Sequence, residues 1–147
     1  MGKTYQTTTI DAVPQAVWDR ISNFHDMSWA AGVITSCEAV GETDGFTAGA
    51  QRILNGAFHE TLLEADAGNY RIRYSIDQGP PPVGPDDISD YQGVLELQAG
   101  ESEGQTTAVW TSIWNGDNPE TAEFCHGIYV ALLDALKASF ATSAEAR

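Results

Sequence analysis

The chain has 147 residues and carries 21 acidic against 7 basic side chains, which gives a formal net charge of −14 at pH 7. Such a surface repels the phosphates of nucleic acids and the headgroups of anionic lipids, so neither nucleic acid nor membrane is expected as a partner. A hydrophobic fraction of 42% indicates a folded globular protein, and the length suits a single domain over residues 1–147.

The apolar runs, the cysteines and the histidines of the sequence bear on the location of the protein and on its cofactors. The polar N-terminal stretch is unlike a signal peptide, and no apolar run approaches the ~20 residues of a membrane span, so a cytoplasmic location is expected. Cys37 and Cys125 lie in apolar patterns and are expected to pack as free thiols. His25, His59 and His126 lack the spacing of metal ligands. No metal and no other cofactor is therefore expected.

The N-terminal third of the chain predicts one strand and two short helices. β-Branched residues indicate a strand over Thr4–Ile10. A short amphipathic helix is predicted from Pro14, a residue that suits a first helical turn, because apolar residues recur after it at helical spacing. A second short helix or turn is predicted from Asn23, a capping residue, to Gly32.

A series of strands and one long helix complete the chain. Six strands bounded by turn residues are predicted over Val33–Glu42, Ala50–Leu54, Ala57–Ala65, Tyr70–Asp77, Tyr91–Ala99 and Thr106–Asn115. Their short links predict antiparallel pairing. A long helix is predicted from about Pro119 to Thr142, with Asn118 as its cap and an apolar stripe at four-residue spacing. Only this helix is long enough to cover the apolar face of the sheet.

The hairpin around Asn55-Gly56 leaves one question open. This dipeptide favours a two-residue type I′ turn, which would pair Arg52 with His59 and place Arg52 and Glu60 on opposite faces. A bulge that shifts the register by one residue would bring both charges to the same face. Glu60 alternates with apolar residues two positions away on either side, so it is expected to point inward.

Several segments in order resemble one superfamily. They are VPQAVWDRISNF, GAQRIL, HETLLEAD, YRIRYSI, DYQGVLEL and FCHGIYVALLDAL. From about Thr7 to Phe140 the chain resembles the START-related (SRPBCC) superfamily, which includes the birch pollen allergen, and within it the bacterial polyketide cyclase/dehydrase type. The resemblance implies an α+β helix-grip fold: a seven-stranded antiparallel sheet around a long C-terminal helix, two short helices closing one end, and an internal cavity.

A more distant similarity is to the plant abscisic acid receptors. It implies that Glu60, Tyr74 and Tyr91 line the cavity and that Arg52 lies near it. Strand alternation independently places the two tyrosines on the inner face. Thr35 stands where the receptors have the lysine that holds the hormone's carboxylate, and their gate loop is shortened to a two-residue turn. A hormone receptor of that kind is therefore not expected.

These arguments define the candidate site. The candidate catalytic residues are Glu60, Arg52, Tyr74 and Tyr91, because burial raises a carboxylate's pKa toward that of a useful general base and tyrosines can donate to a developing enolate. The candidate ligand-binding residues are Trp29, Thr35, Phe58, Ile76, Trp110, Ser112, Trp114, Phe124, Ile128 and Leu132. The proline-rich loop 78–85 joins the strands that carry the two tyrosines, and the resemblance places it at the cavity mouth.

Two kinds of function remain open at this point. One is a cofactor-free cyclase, dehydratase or aldol-type enzyme that acts on a small aromatic or polyketide-like carbonyl compound, with Glu60 as acid or base. The other is a non-enzymatic carrier or sensor of a small apolar ligand, since one fold can host both. A protein-interaction module is a third alternative. The protein is expected to be a monomer or a homodimer.

Overall fold

Seven strands form one antiparallel sheet that packs against a long C-terminal helix. The computed structural model describes residues 1–145, so the last two residues of the predicted domain lie outside the described residues. The elements are β1 (Gly2–Ile10), α1 (Pro14–Ile21), a 3₁₀ helix (Ser28–Ala30), β2 (Cys37–Val40), β3 (Gln51–Leu54), β4 (Phe58–Asp66), β5 (Arg71–Gln78), β6 (Ser89–Ala99), β7 (Thr106–Asn115) and α2 (Glu120–Glu145). The strand order is β1-β7-β6-β5-β4-β3-β2. The predicted α+β helix-grip fold is confirmed.

Helix α2 begins where the sequence predicted its cap. Oδ1 of Asn118 accepts a hydrogen bond from the N–H of Glu120 at 3.0 Å, which satisfies one of the free donors of the first turn. The fully buried face of the helix includes Cys125, Tyr129 and Leu133, whereas Phe124 beside it is only half-buried. Of the predicted stripe (Phe124, Ile128, Leu132, Leu136 and Phe140), Leu132 and Leu136 are buried as predicted. In the first half of the helix the buried face is shifted by one residue, and Tyr129 takes a central position in the core.

The second predicted helix is reduced to a three-residue 3₁₀ helix. Oδ1 of Asn23 accepts from the N–H of His25 at 3.0 Å, and Oδ1 of Asp26 accepts from the N–H of Ser28 at 2.9 Å. Such side-chain bonds to nearby backbone compete with helical hydrogen bonding. The expectation that two short helices close one end is corrected to one α-helix and this short turn.

Strand β2 is shorter than the predicted Val33–Glu42, because the N–H groups just before it are already used. The N–H groups at positions 33 and 34 donate to the carbonyl of Ala30. Those at positions 35 and 36 donate to Oδ1 of Asn55 at 2.7 and 3.3 Å. This part of the chain therefore cannot pair as strand, and β2 begins only at Cys37.

The hairpin between β3 and β4 adopts the bulged alternative. Asn55 and Gly56 have positive φ angles of 55° and 65°, and the N–H of Ala57 donates to the carbonyl of Leu54 at 3.0 Å, as in the predicted turn. Ala57 is then an extra residue, because the ladder pairs Leu54 with Phe58 and the next inward pair is Arg52 with Glu60. The two charged side chains therefore share the inner face of the sheet.

Candidate functional site

A pocket of about 130 Å³ lies between the sheet and α2. Its walls are mainly apolar and aromatic, with a few buried polar groups among them. The lining residues are Met27, Val33, Ile34, Arg52, Leu54, Asn55, Phe58, Glu60, Tyr74, Ile76, Val83, Tyr91, Trp110, Phe124, Cys125, Ile128, Tyr129 and Leu132.

One polar end of the pocket is a buried ion pair. Nε and Nη2 of Arg52 lie 2.8 and 2.6 Å from Oε1 of Glu60. Each of the two residues keeps only 6% of its surface exposed. Both contacts use the same carboxylate oxygen. Among residues 1–140, whose side chains the structure describes, no hydrogen bond to Oε2 of Glu60 is formed, so this oxygen can accept one from a molecule in the pocket.

Arg52 also fixes the segment that closes this end of the sheet. Its Nη1 donates to the carbonyl of Phe24 at 2.9 Å and contacts Sδ of Met27 at 3.4 Å. Its guanidinium carbon lies 3.7 Å from the centroid of the Phe24 ring, which is a cation–π contact. The guanidinium is thus occupied by protein groups, and its main effect is to hold Glu60 and the chain between α1 and the 3₁₀ helix in place.

Burial raises the pKa of the Glu60 carboxyl above its ordinary value of 4.5. The charge of Arg52 and its hydrogen bond act in the opposite direction but do not cancel the loss of hydration. A carboxyl in this condition exchanges a proton closer to neutral pH than an exposed glutamate does. This is the property that a general base needs.

The second polar part of the pocket wall is a cluster of three tyrosines and one tryptophan. Nε1 of Trp110 donates to the hydroxyl of Tyr74 at 3.0 Å, and that hydroxyl lies 2.7 Å from the hydroxyl of Tyr129. The hydroxyl of Tyr129 is hydrogen-bonded in turn to that of Tyr91. The Trp110 and Tyr129 rings also stack, with centroids 4.8 Å apart. These four side chains form one connected hydrogen-bonded wall.

Burial raises the pKa of all three tyrosines, so their hydroxyls remain protonated at physiological pH. The ring of Tyr74 lies directly over Gly93 of the neighbouring strand, where an added Cβ would come within 2.4 Å of the ring. The absence of a side chain at Gly93 is therefore what lets Tyr74 reach the cluster. The wall presents neutral hydrogen-bond donors to the pocket.

Most of the predicted site residues lie at this pocket. They are Glu60, Arg52, Tyr74, Tyr91, Phe58, Ile76, Trp110, Phe124, Ile128 and Leu132. Leu132 is fully buried, whereas Phe58 and Phe124 are half-buried and stack with centroids 6.3 Å apart. Whether these residues bind a ligand or act on it remains a prediction.

Four predicted ligand-binding residues lie outside the pocket wall. Trp114 is inward but stacks behind Tyr91, with ring centroids 5.6 Å apart, and Ser112 is buried and hydrogen-bonded to Thr4. Thr35 is exposed and donates to Oδ1 of Asn55. The remaining one, Trp29, lines a separate gap of about 20 Å³. These four residues support the wall or lie beside it, and their role in ligand binding stays a prediction.

Tyr129 is the most important pocket residue that the sequence interpretation left out. The helical pattern places Tyr129 in the row of residues beside the predicted apolar stripe of α2, and nothing in that pattern indicates a role for its hydroxyl. Its position at the middle of the cluster depends on the rotation of the helix. Val83 was also missed, although it belongs to the proline-rich loop and is only 2% exposed. The loop is held against α2 because Oγ1 of Thr121 donates to the carbonyl of Pro82 at 2.8 Å.

The described residues contain neither a membrane-spanning helix nor a cluster of metal ligands. Within residues 1–145, no helix combines the length and the hydropathy that crossing a bilayer requires. The same part of the chain contains no group of three or more His, Cys, Asp or Glu side chains that could hold a metal ion.

Comparisons with known proteins agree with this architecture. A structure from Nitrosospira multiformis is 38% identical, with a TM-score of 0.94 over 98% of this chain and 99% of that one. Protein XoxI from Bacillus cereus is 21% identical, with a TM-score of 0.78 over 95% and 96% of the two chains. A Thermobifida fusca structure is 23% identical, with a TM-score of 0.79 over 93% and 91%. The latter two show similarity of fold alone.

A search of curated proteins gave no match. The family model described as "Polyketide cyclase / dehydrase and lipid transport" matches residues 1–141. This match covers nearly the whole chain and agrees with the resemblance found in the sequence. The family is one of small-ligand binding or cyclase-type activity. The chain belongs to the polyketide cyclase/dehydrase and lipid transport family.

Proposed function

We propose that this protein binds a small, mainly apolar molecule of about one aromatic ring in the pocket between the sheet and α2. The observation that carries the proposal is an apolar pocket of about 130 Å³ with polar groups at only a few points of its wall. Ligand sites in proteins typically combine such walls with a small number of placed polar groups. An apolar cavity of about 150 Å³ is known to accept benzene, which sets the scale.

The size of the pocket narrows the ligand class. Sites for drug-sized molecules measure roughly 300–1,000 Å³, well above the 130 Å³ found here. A fused multi-ring polyketide does not fit in this conformation, whereas a single substituted ring does. The proposal therefore favours a monocyclic aromatic ligand over a large polyketide.

Binding can be tested without knowing the natural ligand. Titration of the protein with a panel of substituted benzenes, followed by tryptophan fluorescence, should give a saturable response because Trp110 lies in the pocket wall. Ile128→Phe should weaken binding by filling the pocket. Val130→Phe is the matched control, because Val130 lies on the same helix but is exposed. No saturable response across the whole panel would contradict the proposal.

A second candidate function is cofactor-free acid–base catalysis by Glu60. It is supported by the free Oε2 oxygen and by the burial that raises the pKa of this carboxyl. A general base beside a bound ketone would remove a proton from the carbon next to the carbonyl, which is the first step of aldol-type and cyclisation reactions.

Acetophenone in D₂O provides a test, because enzyme-catalysed exchange of its methyl protons is visible by NMR. If Glu60 is the base, Glu60→Gln should lower the exchange rate about a hundredfold or more while binding persists, the usual scale for a general base. Glu64→Gln, on the same strand but half-exposed, is the control. Binding without any exchange above background would support the carrier function instead.

A further inference from the structure

We infer that Tyr91 is the group that donates a hydrogen bond to the ligand, and that the pocket therefore selects neutral aromatic compounds bearing an acceptor, such as aryl ketones. The inference rests on the proposed ligand-binding function and specifies the ligand class. It rests on the directions of the hydrogen bonds among the hydroxyls of the wall, which leave one hydroxyl proton without a protein acceptor among the described residues.

The series of hydrogen bonds that begins at Trp110 has a direction that its first bond sets. An indole N–H can only donate, so the bond of 3.0 Å from Nε1 of Trp110 uses the Tyr74 oxygen as acceptor. Within the described residues, the hydroxyl of Tyr129 is the acceptor next to the proton of Tyr74. In this direction each of the three tyrosine oxygens accepts one hydrogen bond, whereas in the reverse direction the Tyr74 oxygen would accept two and the Tyr91 oxygen none, which is not the cooperative arrangement. Tyr129 consequently passes its own proton to Tyr91.

The donor chain thus runs in one direction from Trp110 through Tyr74 and Tyr129 to Tyr91. A chain of this kind polarises its last member and strengthens it as a donor.

Tyr91 is the last member of this series, so its hydroxyl proton is not donated to another tyrosine. Tyr91 is 2% exposed and lines the pocket, so bulk water is not its acceptor. Among residues 1–140, whose side chains the structure describes, no protein acceptor other than the hydroxyl of Tyr129 is hydrogen-bonded to the Tyr91 hydroxyl. Cys125 lines the same pocket, but thiol sulfur is only a weak acceptor. A ligand carbonyl can therefore accept this proton.

The charge in the pocket restricts the ligand further. Glu60 lies in the same wall, and its ionised form disfavours an anion. Arg52 neutralises much of this charge, but its N–H donors are taken up by Glu60, Phe24 and Met27, so it offers an anionic ligand no binding group. A neutral carbonyl compound meets both requirements, since it accepts from Tyr91 and brings no charge near Glu60.

Paired probes of nearly equal shape provide the test. Acetophenone and α-methylstyrene differ in having C=O or C=CH₂ beside the ring. We expect wild-type protein to bind acetophenone about three to ten times more tightly than α-methylstyrene, the range of one neutral hydrogen bond. Tyr91→Phe should remove this preference. Tyr5→Phe, at an exposed tyrosine, should retain it.

An infrared measurement reports the hydrogen bond to the ligand carbonyl itself rather than the affinity, and its wild-type arm does not require any variant to fold. The C=O band of ¹³C-labelled acetophenone bound to wild-type protein should lie at lower wavenumber than in an alkane solvent, and Tyr91→Phe should return it toward the alkane value. Equal binding of both probes, or an unshifted band in wild type, overturns the inference while leaving the proposed binding function intact. If neither probe nor any other substituted benzene binds, both proposals fail.

Discussion

Replacing Arg52 by methionine should make the stability of the protein depend on pH in a way that identifies Glu60. Arg52→Met removes the partner of a carboxylate that is 6% exposed, and leaves the carbonyl of Phe24 without its donor. Removing one member of a buried ion pair costs about 3–5 kcal/mol, because the other charge remains buried without compensation. The expected loss in unfolding free energy at pH 8 is therefore about 3–5 kcal/mol.

The sign of the pH dependence follows from the raised pKa of Glu60. The folded state holds this proton more tightly than the unfolded state, so the contribution of Glu60 to stability is greatest below its ordinary pKa of 4.5 and falls as the pH rises. Without Arg52 the pKa rises further, so the penalty of Arg52→Met should grow from pH 5 to pH 8, by up to about 1.4 kcal/mol per pH unit. At acid pH the loss of unfolding free energy caused by Arg52→Met should be much smaller.

Glu60→Leu provides the contrasting case. It leaves the guanidinium of Arg52 buried without a counter-charge, and arginine does not lose its proton in proteins. Its cost, also about 3–5 kcal/mol near pH 5, should fall rather than grow as the pH rises, because the contribution of Glu60 that it removes is greatest at low pH. The double variant Arg52→Met/Glu60→Leu replaces both charges by apolar groups and should be close to wild type or more stable, because burial outweighs the attraction within the pair.

The assay is urea unfolding followed by tryptophan fluorescence at pH 5, 6, 7 and 8 for wild type, both single variants and the double variant. Far-UV circular dichroism checks that each variant is folded before denaturant is added. The reasoning is refuted if the cost of Arg52→Met is the same at all four pH values, or if the costs of the single variants simply add in the double variant.

Three further substitutions test other parts of the structure. Gly93→Ala should destabilise the protein by about 1–3 kcal/mol in urea unfolding, because its Cβ would lie 2.4 Å from the Tyr74 ring. Tyr74→Phe should cost about 1–3 kcal/mol in the same assay, since the buried Nε1 of Trp110 loses its acceptor; a loss below 0.5 kcal/mol would contradict that contact. Asn55→Ala should lower the melting temperature more than Asn55→Gly, because Asn55 has a φ of 55° and both variants lose the same side-chain hydrogen bonds.

The fold was predictable because its signals are local and repeated. Strand β7 was predicted with its observed bounds, Thr106–Asn115, because β-branched and aromatic residues alternate between clear turn residues. The cap of α2 at Asn118 was equally readable. The predicted strand bounds are wrong where a side chain, rather than a neighbouring strand, accepts the hydrogen bonds of the backbone. Asn55 takes the N–H groups that β2 would have used, and such a bond between distant residues leaves no trace in the local pattern.

The site was less predictable because it depends on single-residue offsets. One extra residue, Ala57, decides whether Arg52 and Glu60 meet or lie on opposite faces, and the dipeptide Asn55-Gly56 is compatible with both registers. The rotation of α2 by one residue similarly decides that Tyr129 enters the tyrosine cluster. Alternation gives the parity of a strand, but it cannot give a register that a bulge has shifted.

The two polar ends of the pocket together define what the proposed ligand must look like. Glu60, on β4, presents an oxygen that can accept a hydrogen bond, and it is held there by Arg52 from the adjacent strand. Tyr91, on β6, is the proposed donor, and the donor chain behind it starts at Trp110 on β7. Each end is positioned by groups that the ligand does not displace, so little reorganisation is needed on binding. A ring that carries a carbonyl and an acidic C–H or O–H can satisfy both ends at once, whereas a plain hydrocarbon of the same size satisfies neither.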